Sequence, residues 1–189
     1  MESNGGIEMI YQLSEEYYVR NLRETDLAGP YPGWFEDQDV SQHNSHGKFF
    51  KSNSEFQNYV KLSSGSEQIV WAICHIQDGH IGNVVLHEIS FINRNADFAI
   101  LVGDRRHWAK GVGYLVSKTL FEHAFQKLNL HKIYCATAQT NAAMINLAKK
   151  LSMIEEGRWR EHVYLNGKYV DLIAFGVLKD EFMNNLESK

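Results

Sequence analysis

Hydrophobic positions along this chain follow two periods, and the changes between them predict the order of elements. Short apolar runs or alternation predict strands over 17–22, 68–76 and 81–86. A further strand over 96–102 has a clear period of two, with Phe98, Ile100 and Val102 on one face and Asp97, Ala99 and Leu101 on the other. The period then lengthens. Val112, Leu115, Val116, Thr119, Leu120 and Ala124 share one face of a helix over 111–127. A strand over 132–137 follows, and Met144, Ile145, Leu147, Ala148 and Leu151 form the apolar stripe of a second helix, for which Asn141 is a suitable N-cap. Strands over 159–165 and 169–178 close the pattern. Punctuation agrees with it: Ser52 and Glu55 have capping-box spacing before a helix over 53–62, and Pro30 and Pro32 mark a loop before a short element at 34–37. Asp78-Gly79 and Asn166-Gly167 are both dipeptides of type I′ hairpin turns. The predicted class is α/β (α+β), a single domain with a mixed central β-sheet flanked by helices. It spans 17–180, between an N-terminal extension, 1–16, and a C-terminal tail, 181–189.

Composition narrows the function classes. With 189 residues, 44% of them hydrophobic, the chain can bury an apolar core without staples. Nineteen Lys and Arg against 23 Asp and Glu give a net charge of −4. That balance predicts no nucleic-acid and no membrane partner, while a local basic patch can still hold a phosphorylated ligand. Cys74 and Cys135 lie in apolar runs, where buried free thiols are expected, and two cysteines build neither a disulfide framework nor a Cys-based zinc site. Residues 1–6 lack a positive n-region, and the longest apolar stretch, 172–178, is too short to cross a bilayer, so a cytoplasmic location is expected.

The segment with most chemical content is G-D-R-R-H-W-A-K-G-V-G-Y at 103–114. It joins a strand to a long helix, so the free N–H groups of the first helical turn converge where glycine admits an anion. Arg105, Arg106 and Lys110 add positive charge, and together these features describe a pyrophosphate cradle. The plainer reading is a tight turn with solvated cations. A P-loop is absent, and a dinucleotide-binding G-x-G-x-x-G would need glycine where Val116 stands.

The loop W-A-K-G-V-G-Y after A-D-F-A-I-L-V, followed by the amphipathic helix, L-H-K-I-Y-C-A-T-A-Q-T-N and K-K-L-S-M-I-E-E-G, resembles the GNAT family of acetyl-CoA-dependent N-acetyltransferases. The resemblance covers about 17–178. Trp108, the E-E-G at 155–157 and the N-G-K-Y-V-D at 166–171 are similar to the ribosomal-protein alanine N-acetyltransferase subgroup. V-R-N-L-R-E-T-D-L with W-F-E-D is similar to enzymes acetylating nucleotide-linked amino sugars. The resemblance implies a GNAT fold and acetyl-CoA as cosubstrate. Its pyrophosphate would lie on Arg106, Trp108, Ala109, Lys110, Gly111, Val112, Gly113 and Tyr114. Its pantetheine would pair with the backbone of Ile100, Leu101 and Val102, and Asn141 would help hold it. The N–H near Leu101 would stabilise the oxyanion.

Acetyl transfer needs a neutral amine and a route for its proton, and Glu88 and Asp97 are the carboxylates available on central strands; relay through water is the alternative. Relatives often carry tyrosine where this chain has Ala148 and serine where it has Met144, so no general acid is assigned. Ser152-Met153 replaces the usual Gly-Phe. Trp34, with Tyr31 and Phe35, is a candidate lid over the acceptor or a packing cluster. His43 and His46 are candidate acceptor contacts or ordinary loop residues. No His/Asp/Glu set has helical metal-ligand spacing, so no metal is expected. The expected reaction is acetyl transfer to a primary amine of a small molecule, an amino sugar by preference. N-terminal peptides, amino acids and polyamines are the alternative acceptors, a CoA-binding module without catalysis is the alternative of another class, and a homodimer is an open option.

Overall fold

The computed structural model describes residues 10–43, 52–63 and 65–187. An eight-stranded mixed sheet organises them, in spatial order β1-β2-β3-β4-β5-β6-β8-β7. The strands are β1 Ile10–Gln12, β2 Tyr17–Asn21, β3 Ile69–His75, β4 Gly79–Ser90, β5 Asn95–Val102, β6 Lys132–Ala138, β7 Ile154–Leu165 and β8 Lys168–Leu178. The helices are α1 Gln38–Ser41, α2 Asn53–Leu62, α3 Val112–Gln126, α4 Ala142–Lys150 and α5 Lys179–Glu187. Each neighbouring pair of strands is antiparallel except β5 and β6, which run parallel with α3 as their crossover. Residues beyond 17–180 also carry elements: β1 pairs with β2, and α5 inserts Phe182 against Phe121 and Phe125.

Both faces of the sheet are covered. On one face Trp71, Ile73, Val84, Leu86 and Phe98 pack against Val116, Leu120, Phe121 and Ala124 of α3 and Ala148 of α4. On the other, Val70, Ala72, Cys74 and Val85 pack against Val40, Phe56, Val60, Tyr31 and Trp34. Alternate residues of β3 therefore feed two different cores, which explains its near-continuous apolar run. The two cysteines lie buried as free thiols.

Local signals act as their chemistry dictates at most boundaries. Ser52 and Glu55 form the reciprocal capping box of α2, and Asn141 caps α4 by accepting from the Met144 N–H. Asn166 and Gly167 both have positive φ, 48° and 81°, as a type I′ turn requires. The β3–β4 turn departs from expectation. Only Gly79 has positive φ, 73°, and it pairs directly with His75, so three residues, 76–78, form the turn and Asp78 stays outside the left-handed region. The extra residue is absorbed by a register shift at Ile73/Cys74.

Trp34 is a packing residue. It is 6% exposed, and its indole lies flat on the backbone at Gly103, where an added Cβ would fall 1.9 Å from Trp34 Cδ2. Of the two readings, lid or packing cluster, Trp34 follows the second and anchors the loop before α1 against the end of β5. Gly103→Ala is expected to destabilise the protein by about 1–3 kcal/mol, because an indole locked among Tyr31 and His80 cannot retreat. A urea titration checks this; an unchanged midpoint would show that Trp34 is free to move.

Candidate active site

The sheet opens where its two parallel strands meet. β5 pairs with β6 only through Asn95/Lys132, Ala96/Ile133 and Asp97/Tyr134, although both strands continue beyond. Among the described residues, the edge of β5 past Asp97 has no strand partner, which leaves a backbone able to pair with an extended, amide-bearing ligand. Which groups face that edge follows from the antiparallel ladder with β4. The Gly103 N–H donates to Ile81 O at 2.9 Å, and the register is unbroken from Val102 to Asp97. Hydrogen-bonding direction alternates along a strand, so Leu101, two residues earlier, also points its N–H toward β4. The N–H of Leu101 itself therefore faces β4, and an oxyanion donor near Leu101 would come from a neighbouring residue of β5. The open edge carries Phe98, Ile100 and Val102 instead. The Phe98 N–H bonds the Asp97 carboxylate, and Trp108 donates its indole N–H to Val102 O at 2.7 Å. The N–H groups of Ile100 and Val102 therefore both point toward the open edge.

Above this edge lies the glycine loop. Gly111, with φ 82°, is the N-cap of α3, and the first helical bond runs from Leu115 N–H to Gly111 O. The amides of Val112, Gly113 and Tyr114 precede that bond and converge at the helix start. Gly113 sits beside Ile100, with a built Cβ 3.8 Å from its Cδ1. Ala109 adopts φ 58°, a left-handed conformation in which glycine is easier. Lys110 and Trp108 are exposed. The two arginines are not free cations: Arg105 is held by Asp37 and Asp39, and Arg106 by Asp78 at 2.8 Å and Asp104 at 2.6 Å. Anion attraction in the loop therefore comes from amide groups and Lys110 rather than from a free arginine cluster.

Below the opening, the two candidate carboxylates come together. Glu88 sits at a bulge in β4 with φ 48°, exposed, and accepts from the Tyr134 hydroxyl at 3.3 Å. Asp97 is half-buried; burial, followed by the Glu88 charge, pushes its carboxyl up to about 6. The Tyr134 phenol is raised by burial and by the same two carboxylates. Period two in β6 carried Tyr134 in the sequence, but only the pairing of Asp97 with Tyr134 shows that it belongs here. Asn141 spends its amide on the α4 cap and on Thr137 Oγ1, at 3.0 Å. Met144 is half-buried and Ala148 fully buried, and neither a thioether nor a methyl group has an acidic proton to give. His43 reaches Thr140 Oγ1 at 3.3 Å, beside a shallow cavity of about 280 Å³ lined by Gln42, Asn166, Lys168 and Val170. His46 lies outside the described residues.

Comparisons with known proteins place this architecture in a family. The acetyltransferase (GNAT) domain family matches residues 17–154, and the chain belongs to it. It is an acetyl-CoA-dependent acyltransferase, acting on an amine. Over 171 residues it is 33% identical to a spermidine N(1)-acetyltransferase of Vibrio cholerae, an alignment covering 90% of this chain and 91% of that protein. A putative ribosomal N-acetyltransferase of Bacillus subtilis is 27% identical over 108 residues, 57% of this chain and 58% of the relative. Among solved structures, spermidine N-acetyltransferase from Vibrio cholerae in complex with CoA and spermine superposes with a TM-score of 0.80 at 25% identity, covering 90% of this chain and all of that one. A dodecameric form of the same enzyme gives 0.74 at 26% identity, covering 91% and 99%. The relatives named by their acceptor are spermidine acetyltransferases rather than enzymes of amino sugars, the acceptor that residues 19–37 suggested. Among the described residues, no helix is long and apolar enough to cross a membrane.

Proposed function

We propose that this protein transfers the acetyl group of acetyl-CoA to a primary amine of a polyamine. The observation that carries this reading is the Glu88–Asp97 pair at the mouth of the opening between β5 and β6. Two neighbouring carboxylates give that mouth an acidic lining, which attracts a polycation and repels the diphosphate of a nucleotide-linked sugar. The Vibrio cholerae relative supports the same acceptor class.

In this mechanism the cosubstrate's pyrophosphate rests on the amides of Val112, Gly113 and Tyr114, and its pantetheine pairs with the open edge of β5. The Ile100 N–H polarises the thioester carbonyl. A neutral amine attacks the carbonyl carbon, the C–N bond forms, and Asp97 takes the proton the nitrogen sheds. Collapse of the tetrahedral intermediate breaks the C–S bond and releases CoA thiolate, which takes a proton from solvent. Tyr134 holds Glu88 in place beside Asp97. Assembly into a dodecamer like that of the relative belongs to the same proposal.

An acceptor panel tests it: spermidine, spermine, a nucleotide amino sugar and an alanine-terminated peptide, each with acetyl-CoA, read by thiol release. Spermidine or spermine is expected to exceed the sugar in kcat/KM by about 100-fold, the order of two opposed charge contacts. Preference for the sugar or peptide would overturn the polyamine assignment. Acetyl-CoA binding without thiol release on any acceptor would support the CoA-binding module.

A further inference from the structure

We propose that the protein has a second, non-catalytic site, a divalent transition-metal site formed by His75, Asp78 and His107, which fastens the β3–β4 turn to the turn before the glycine loop. Among the described residues these three are the one group whose ligand atoms all lie within 4.8 Å of one another. His75 ends β3, Asp78 lies in the following turn, and His107 ends the short 3-10 helix 105–107 just ahead of Trp108. Both imidazoles are buried, at 7% and 2% exposure, while the carboxylate opens toward solvent and gives an entry path.

The contacts converge on one oxygen. His75 Nδ1 is 2.9 Å and His107 Nε2 3.2 Å from Asp78 Oδ2. His75 Nδ1 also receives the backbone N–H groups of Gln77 and Asp78, at 3.4 and 3.3 Å, which mark it as a lone-pair donor facing a carboxylate oxygen. Two lone-pair donors at that separation call for a proton or a cation between them. Two imidazoles and one carboxylate, with positions left for water, suit zinc, cobalt or nickel better than calcium or magnesium.

Each ligand already has an outer partner, as metal ligands require. The Tyr17 hydroxyl lies 2.9 Å from His107 Nδ1, Glu16 lies 4.0 Å from His75 Nε2, and Arg106 holds the other Asp78 oxygen at 2.8 Å. When a metal takes the lone pairs of His75 Nδ1 and His107 Nε2, the two rings carry their N–H on the opposite nitrogens. There the Tyr17 oxygen and the Glu16 carboxylate can accept them. Arg106 leaves Asp78 one free oxygen, so its coordination is monodentate and the like charge is offset by Asp104. His75, Asp78 and His107 are not among the residues paired where β5 and β6 meet. The consequence is mechanical: occupancy would hold His107, and with it the start of the loop 108–113.

The test uses the untagged full chain, stripped with chelator and titrated with cobalt(II), read by visible d–d absorption and confirmed by zinc displacement. One equivalent is expected to bind, and zinc is expected to raise Tm. His75→Gln and Asp78→Asn should each weaken binding at least tenfold, and Tyr17→Phe, which keeps the packed ring, about tenfold. His162→Gln, which removes an imidazole packed edge-on against Trp159 in β7, should change nothing. Circular dichroism in chelator shows whether each variant is folded, and Tyr17→Phe decides the matter where the ligand variants are not. Absence of a stoichiometric cobalt spectrum, or equal affinity across all variants, would overturn the site.

Discussion

Asp97→Asn is expected to lower kcat with the preferred amine by about 10²–10⁴-fold, the usual effect of losing a positioned general base. The wild-type profile of kcat/KM should rise with pH through a limb near 6, where Asp97 ionises, and the variant should lack that limb. The same substitution should stabilise the fold. Burial raises the folded-state pKa of Asp97 from 3.8 to about 6, so ionising it costs stability progressively as pH rises from about 4 to 6, and the full cost persists above 6. Screening by solvent at this half-buried group reduces the two-unit shift to about 1 kcal/mol. Tm of the variant should therefore exceed wild type at pH 7.5 and match it near pH 4. Glu88→Gln removes the second cause of the raised value, and the kinetic limb should move to lower pH. A pH profile untouched by either change would assign proton transfer to water.

Gly111→Glu is expected to weaken CoA binding at least 100-fold with little change in fold. An added side chain at Gly111 meets nothing within 4 Å, so the substitution crowds no protein atom. It does place a carboxylate at the start of α3, where the amides of Val112, Gly113 and Tyr114 would otherwise face an anion. Two like charges at close range in a partly desolvated cradle account for several kcal/mol. The φ of 82° adds about 1–2 kcal/mol of backbone strain, which a thermal melt should register separately. Calorimetry with CoA reads the affinity, and a dissociation constant within threefold of wild type would place the pyrophosphate elsewhere.

Much of the fold was legible because local chemistry and tertiary packing agree. The bounds of α2 and α3 follow from a capping box and from a glycine N-cap before an apolar stripe. The β7–β8 turn follows from Asn166-Gly167, the pair that adopts two successive positive φ angles at least cost. Asp78-Gly79 carried the same signal and gave a longer turn, since a register shift upstream moved Gly79 into the ladder opposite His75. Trp34 could be read as a lid or as core from sequence alone. Gly103, distant in the chain, decided for core.

The amino-acid sequence by itself determined most strands and helices between 17 and 178, though neither β1 nor α5, that one helix begins at a glycine loop suited to an anion, and that Glu88 and Asp97 lie on central strands. Period, capping and turn chemistry are short-range, and they act within a few residues. Tertiary structure decided three other matters: which N–H groups of β5 face the opening, that Arg105 and Arg106 are already paired, and that Glu88, Asp97 and Tyr134 share one place. Each depends on register or charge pairing between segments far apart in the chain. A shift of one residue in a β ladder reverses every backbone donor, and no local pattern records that choice.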